Sequence, residues 1–488
     1  MKITLISSTI QYAFSTITLR AVPFLLIPIY TRSLSMDDYG RLVTLLSIIQ
    51  LVSLVMDCGA KTSLVTFFRP DATQRGRGEV FGSVLLINTG AAIGASAVVV
   101  VVFPYFLPRL ISTSSSTTYI FLSCAVAYLQ SLNAALISYY RITNAPRLFA
   151  IASVSTGLLN LVLVLLFVKT LRFGVTGVLS ATALSLGITT VPIALSILKR
   201  LGFHASLSCT TRLIRFGAPL VLSGGGELLA DTLPVLFLAS SAGLNAVGVY
   251  GIAMKLSTVT LTLLILPFTM AYEPYVILNA SSKWINNRIS NALSMALLLF
   301  ALLAFAIVIA GPQVIAFMAP PAYRSAQTLL FIMLPAMAFR TLYYGCEPLL
   351  HLKHKSLLKG SSVLFCVVLM GCLYPFVVPR WGADGAAIVY ALTVASYSIF
   401  LAAVSFRLWA ILTGGRRFLV SGLLLTGFLA IAYFLPARPV IAHYSYALII
   451  GLVTFYLVTR AGFLTDDESA VLSAAVQRFR SALPGWGD

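Results

Sequence analysis

Two carboxylates four residues apart stand in a stretch that is otherwise almost wholly apolar. Glu227 and Asp231 lie within residues 216–240, FGAPLVLSGGGELLADTLPVLFLAS. Residues at that spacing share a helix face, and each ionised side chain at the centre of a bilayer costs at least about 2.5–3.5 kcal/mol. Like charges on one face raise the proton affinity of one member, so the pair suits proton or sodium acceptance, or it serves as counter-charge to cations on other helices. Gly224, Gly225 and Gly226 immediately before it either act as a hinge or gate or permit a close helix crossing.

Arg20, Lys255 and Arg340 fall near the middle of three other apolar segments. Three cations against two acids leave a positive surplus, which in a low-dielectric chamber attracts an anion. Arginine offers phosphate a planar fork and lysine a compact point charge. For any single charge, an interhelical salt bridge that only fixes packing is the competing explanation. A second layer holds Asp57 and Lys61, an i, i+4 pair of opposite sign, together with Glu273 before Pro274 and Glu347 before Pro348. These read as gate or interface positions near one membrane face, with Asp57 also a candidate counter-charge or ion-coupling carboxylate.

The elements that must position these charges are transmembrane helices. The chain has 488 residues, 59% hydrophobic and 10% charged, with a mean hydropathy of +0.97, against roughly 25% charged residues in a soluble domain. The fold class is therefore an all-α polytopic membrane protein. Strands are excluded because the apolar runs are continuous rather than alternating. The net charge of +19 would suggest nucleic acid in a soluble protein; here its placement points to the cytoplasmic leaflet, and no nucleic-acid partner is expected. Six cysteines without a CxxC or Cys/His cluster argue against disulfides and zinc. No GxxxxGK[ST] loop is present, so direct use of ATP is not expected. No cofactor is expected beyond a coupling proton or sodium ion. The amino terminus reads as an uncleaved first helix.

Apolar runs give about fourteen segments, with cores near 8–30, 40–64, 80–103, 118–140, 148–168, 175–198, 216–240, 246–272, 291–311, 326–350, 357–378, 385–406, 418–435 and 441–459. With both termini cytoplasmic, 22 of the 33 Lys and Arg fall on the inner side, as positive-inside topology requires. That inner set includes Lys359. A repeat at an offset of 208–211 residues pairs Phe173, Gly174 and Gly177 with Trp381, Gly382 and Gly385, and Tyr39-Gly40 with Tyr250-Gly251. Two pseudo-repeated six-helix bundles around a central cavity, 1–210 and 211–410, are the economical reading. An extra helix pair follows at 411–462, then a cytoplasmic amphipathic tail at 463–488. Repeated halves place a substrate site at their interface near the membrane midplane.

Three stretches carry a family resemblance: PIYTRSLSMDDYG at 28–40, FGVTGV at 173–178 and VGVYGIAMKL at 247–256. They resemble the polysaccharide and lipid-linked oligosaccharide flippases of the MOP superfamily, which also holds the multidrug MATE exporters and the lipid II flippases. The resemblance implies a V-shaped cavity between two bundles and alternating access. It also implies export of an undecaprenyl-diphosphate-linked sugar repeat unit to the periplasmic face of the bacterial inner membrane, with membrane lipids and the polysaccharide polymerase and chain-length machinery as neighbours. Family members carry cavity cations on the first, second and eighth helices, which maps here onto Arg20, Lys61 and Lys255. A cation-coupled drug exporter of the same fold is the main rival, and a polymerase or ligase acting on the same lipid a lesser one; short outer loops oppose the latter. Gln50, Asn88, Asn133 and Tyr140 are candidate sugar contacts.

Overall fold

The computed structural model describes residues 22–111, 116–280, 285–353 and 355–409. Arg20, the expected helix pair at 411–462 and the expected tail at 463–488 lie outside the described residues. Every regular element among those described is helical. The first helix, α1, is described over 22–33. It is followed by α2 (Met36–Asp57), α3 (Ala60–Phe67), α4 (Gln74–Ile111), α5 (Ser116–Ile142) and α6 (Pro146–Val164). Next come α7 (Gly174–Leu201), α8 (Leu207–Ser241), α9 (Leu244–Thr260) and α10 (Leu266–Leu278). The described chain ends with α11 (Ile285–Met318), α12 (Ala326–Leu352) and α13 (Ser356–Trp409).

Local chemistry sets several of these boundaries. Ser35 caps α2 by accepting the Asp38 N–H at 3.1 Å, and Asp37 and Asp38 face the positive end of the helix dipole. Ser206 caps α8 in the same way through the Cys209 N–H. Cys58 and Gly59 take left-handed φ values of 45° and 73°, which break the single expected segment 40–64 into α2 and α3. The expected eighth segment, 246–272, is likewise compound: α9 and α10 are joined by a π turn, Leu261–Ile265.

Nine helices among the described residues are long and apolar enough to cross a membrane, and α8, bent by 54° between Leu207–Pro219 and Gly224–Ser241, makes a tenth. One of the nine, Leu358–Leu408 within α13, has 51 residues, about 80 Å at 1.5 Å per residue and far more than the ~30 Å hydrocarbon core needs. Gly382, at φ 53° and ψ −133°, splits it into two passes. The same device opens α7, where Gly174 has φ 62°. A Cβ on Gly177 would lie 2.9 Å from the Phe173 Cβ, and one on Gly385 would lie 2.9 Å from the Trp381 Cβ. The two aromatic-glycine turns singled out in the sequence thus share one geometry.

Helices α2, α4, α5 and α7 pack on one another, as do α9, α11, α12 and α13. Between the groups, α2 crosses α9, and α8 reaches back to α2, α3 and α4. Glycine makes these crossings close. A Cβ on Gly40 would stand 1.9 Å from the Leu244 carbonyl oxygen, and one on Gly59 would stand 2.3 Å from the Gly217 oxygen. Thr31 donates to the Met318 carbonyl at 2.5 Å and Arg32 to the Phe317 carbonyl at 2.8 Å, tying α1 to α11. Gly40→Ala is expected to force α2 from α9 and destabilise the protein by about 1–3 kcal/mol through overpacking. Gly90→Ala, where nothing lies within 4 Å, should leave thermal unfolding in detergent unchanged.

Candidate functional site

The carboxylates of α8 organise the site. Asp231 binds Arg340 of α12 through both oxygens, Nη1 at 2.7 Å and Nη2 at 3.0 Å. The Tyr390 hydroxyl of α13 donates to Asp231 at 3.1 Å and accepts from Arg340 Nη1 at 3.0 Å. Arg340 is only 5% exposed, and its Nε is buried without a partner. A two-pronged guanidinium–carboxylate contact is the strongest pairing these groups make, and its cost in a low dielectric is offset only by such geometry. Arg340, expected from the sequence as an anion binder, is therefore directed at Asp231 and not at open volume.

One turn before Asp231, Glu227 accepts from the Tyr343 hydroxyl at 2.5 Å and the Tyr344 hydroxyl at 3.0 Å. Its third partner is Lys359 of α13, at 3.2 Å. Lys359 also pairs with Glu347 of α12 and sits 5.3 Å over the Tyr343 ring. Glu347 has His351 3.4 Å away as a further neighbour. Lys359 was expected in an inner loop; it is 9% exposed in the first turn of α13, bridging two carboxylates. With Lys359 counted, this wall carries three acids and two permanent cations. The surplus of positive charge that the sequence suggested is absent from it.

Lys255 contrasts with both paired cations. Ten α9 residues around it are buried, from Val247 to Thr260, yet its own side chain is exposed. No salt bridge among the described residues involves it. Seven residues along, on the same helix face, Thr262 lines a recess of about 490 Å³ between α9–α10 and α12. Thr258, Thr269, Glu273, Tyr344 and Glu347 line it too. Lys255 thus stands one turn from the rim of an open volume.

The remaining expected residues are placed as follows. Asp57 accepts the Lys61 backbone N–H at 3.2 Å, so it caps the first turn of α3, and Lys61 is exposed. Gly225 and Gly226 are buried; a Cβ on each would meet Leu54 at 3.3 Å and Val363 at 2.9 Å, whereas Gly224 faces open space. The glycines therefore lie just after the bend of α8 and against α2 and α13. Asn88 donates to Ser131 at 2.5 Å and Asn133 to Thr190 at 2.9 Å inside the α4–α5–α7 group, and Tyr140 is buried; Gln50 is exposed on α2. Lys359, Tyr343, Tyr344 and Tyr390 were not singled out from the sequence. The signal that could have found them is the need of Glu227 and Asp231 for partners.

Arg340→Met is expected to lower stability by about 3–5 kcal/mol, because it leaves the Asp231 charge buried and uncompensated. The double variant Asp231→Asn with Arg340→Met should recover most of that loss. A double-mutant cycle on chemical unfolding in detergent reads the difference; additive losses would show that the two side chains do not couple.

Solved structures share this architecture. The lipid II flippase MurJ in an inward closed conformation superposes with a TM-score of 0.74 at 12% identity, over 94% of this chain and all of that one. A multidrug resistance MATE family transporter of the MOP superfamily, inward-facing, gives 0.65 at 17% identity over 80% of this chain and 94% of its own. A MATE protein in a bent conformation gives 0.56 at 16% identity, covering 87% and 96%. At such identities the likeness is one of fold. No curated protein sequence matches the chain. The family model described as "Polysaccharide biosynthesis protein" matches residues 5–278, more than half of the chain, and the protein, a multi-pass membrane protein of MOP-type fold, belongs to that family.

Proposed function

We propose that the protein is a flippase carrying undecaprenyl-diphosphate-linked oligosaccharide repeat units, of O-antigen, capsule or exopolysaccharide, from the cytoplasmic to the periplasmic leaflet of the inner membrane. It works as a carrier and makes or breaks no bond in its cargo. The observation that carries the reading is Lys255, an exposed cation halfway along a buried span, unpaired among the described residues and beside an open recess. An unpaired charge at that depth is costly, and a diphosphate is the counter-ion that the family's chemistry supplies. Arg20, in the first apolar run of the sequence, and Lys61, at the start of α3, complete the diphosphate site in this reading. Arg340 joins it only through Asp231.

The two six-helix bundles, 1–210 and 211–410, rock about the α2–α9 and α3–α8 crossings to expose the site alternately. Glu347 and Glu273 lie where the inner gate opens, Asp57 fixes the α2–α3 break beside it, and the bend before Gly224–Gly226 supplies the hinge. Moving about two negative charges outward across an inside-negative membrane gains roughly 2.3 kcal/mol per charge per 100 mV. That is sufficient to drive export, and proton or sodium binding at Glu227 and Asp231 resets the empty carrier. Export delivers the repeat unit to the polymerase and chain-length machinery. The competing reading, an exporter of cationic drugs, is favoured by the two carboxylates of the recess; Lys255 and the family assignment oppose it.

Cells lacking the protein should accumulate lipid-linked repeat units on the inner leaflet, and Lys255→Ala should fail to restore export while Lys255→Arg restores it in part. Leaflet distribution measured with an impermeant glycan label checks this. Normal export by Lys255→Ala would remove the diphosphate site from α9. Asp231→Asn should shift the pH or sodium dependence of transport in vesicles; an unchanged dependence would take ion coupling away from Asp231.

A further inference from the structure

Helix α8 is longer than its crossing needs. The half after the bend, Gly224–Ser241, covers about 27 Å at 1.5 Å per residue, close to the ~30 Å hydrocarbon core, and the half before it, Leu207–Pro219, is turned aside by 54°. One face of that first half is spent on the protein. Cys209 and Leu213 belong to the buried cluster of Phe81 and Tyr139, Ser63 donates to the Leu213 carbonyl at 2.9 Å, and Gly217 abuts the Gly59 backbone. Those three positions recur every fourth residue and so share a face. The other face carries Leu207, Thr211, Ile214 and Arg215, all exposed. On its flank Arg212, three residues from Arg215, is held 5.1 Å over the Phe67 ring.

Strong apolarity and strong positive charge meet on this face. No large hydrophobic among the described residues is more exposed than Leu207, at 86%, and Phe203 in the preceding loop is 61% exposed. Lys199 and Arg200 end α7 just ahead of that loop, and Gln74 donates to the Arg200 carbonyl at 2.9 Å, which brings the start of α4 to the same place. No salt bridge among the described residues involves Lys199, Arg200, Arg212 or Arg215, and Glu79 beside them takes the Ser206 hydroxyl. Bare apolar side chains are unfavourable in water and bare cations in hydrocarbon, so the layer that suits both is that of the lipid headgroups. We infer that the first half of α8 lies in that layer and forms a site for an anionic glycerophospholipid. Arg212 and Arg215 take its phosphate, within the positive field of Lys199 and Arg200, and Phe203, Leu207 and Ile214 lie along its acyl chains. The lipid thereby anchors the part of α8 that precedes the bend, on the helix that carries Glu227 and Asp231. The site requires only a membrane-spanning chain, whatever the carrier exports.

Native mass spectrometry of the detergent-solubilised full chain, titrated with dioleoyl phosphatidylglycerol and with dioleoyl phosphatidylcholine, tests this. Wild type should bind the anionic lipid at least about tenfold tighter than the choline lipid, at about fivefold for each cation near the phosphate. Arg212→Gln with Arg215→Gln should lose most of that preference and bind phosphatidylcholine as wild type does, which also shows the variant to be folded. Leu207→Ser with Ile214→Ser should weaken both lipids alike; unchanged binding overturns the acyl contact. Lys169→Gln with Arg172→Gln removes the same charge beyond the opposite end of α7, where both side chains are exposed, and should keep the preference. Equal affinity of wild type for the two lipids, or equal loss of preference in the two charge variants, overturns the site. A preference that emerges only after removal of residues 463–488, which include Asp466, Asp467 and Glu468, gives the face to the chain's own tail and overturns it as well.

Discussion

The bidentate contact between Asp231 and Arg340 is the constraint from which the rest of the site follows. Inside a bilayer a carboxylate on an apolar helix must find a cation, a ligand or a proton. Asp231 takes the guanidinium of α12 and the hydroxyl of Tyr390, and that fixes the rotation of α8 against α12 and α13. Once α8 is so turned, Glu227 one helical turn away necessarily faces the same two helices, where Tyr343, Tyr344 and Lys359 meet it. Gly226 allows the approach, since a side chain there would strike Val363 of α13. The wall is held together by electrostatics because lipid tails offer no hydrophobic force between helices.

A wall of three acids and two cations, with both cations occupied by carboxylates, offers an anion little. Arg340 and Lys359 are both occupied, and the first is nearly sealed from the open volume. Lys255 is different because no salt bridge among the described residues involves it and it stands one turn from Thr258 at the recess. In the proposed function the labour is divided on physical grounds: paired cations set the shape of the chamber, and an unpaired one addresses its contents.

Much of this was legible in the sequence, for reasons that can be named. Glu227, Asp231, Lys255 and Arg340 stand out because a charge in a long apolar run is a violation that demands an explanation. Gly174 and Gly382 stand out because their aromatic-glycine surroundings recur at a fixed offset, and both adopt the left-handed backbone that a turn between spans requires. Lys359 was hidden because only three residues separate it from Lys355 and an inner loop is where lysine is common; its reach to Glu227 depends on how α13 docks. Tyr343, Tyr344 and Tyr390 were hidden because tyrosine is at home in membrane helices, so nothing marks those whose hydroxyls are used. The break at Cys58-Gly59 was hidden because Asp57 and Lys61, four residues apart, read as one face of a continuous helix, whereas Asp57 caps a new one. Pairing could not be read either: two acids and three cations at one depth allow several matchings, and only the packing of α8 against α12 selects Asp231 for Arg340.

The central claim is that Lys255, and not Arg340, meets the substrate's diphosphate. The most direct measurement is an experimental structure of the protein in a lipid nanodisc with an undecaprenyl-diphosphate-linked oligosaccharide bound. The diphosphate should lie within about 4 Å of the Lys255 ammonium, the distance that defines an ion pair, with the Asp231–Arg340 contact intact. A diphosphate seated on Arg340, with Asp231 turned away from it and Lys255 unoccupied, would contradict the account.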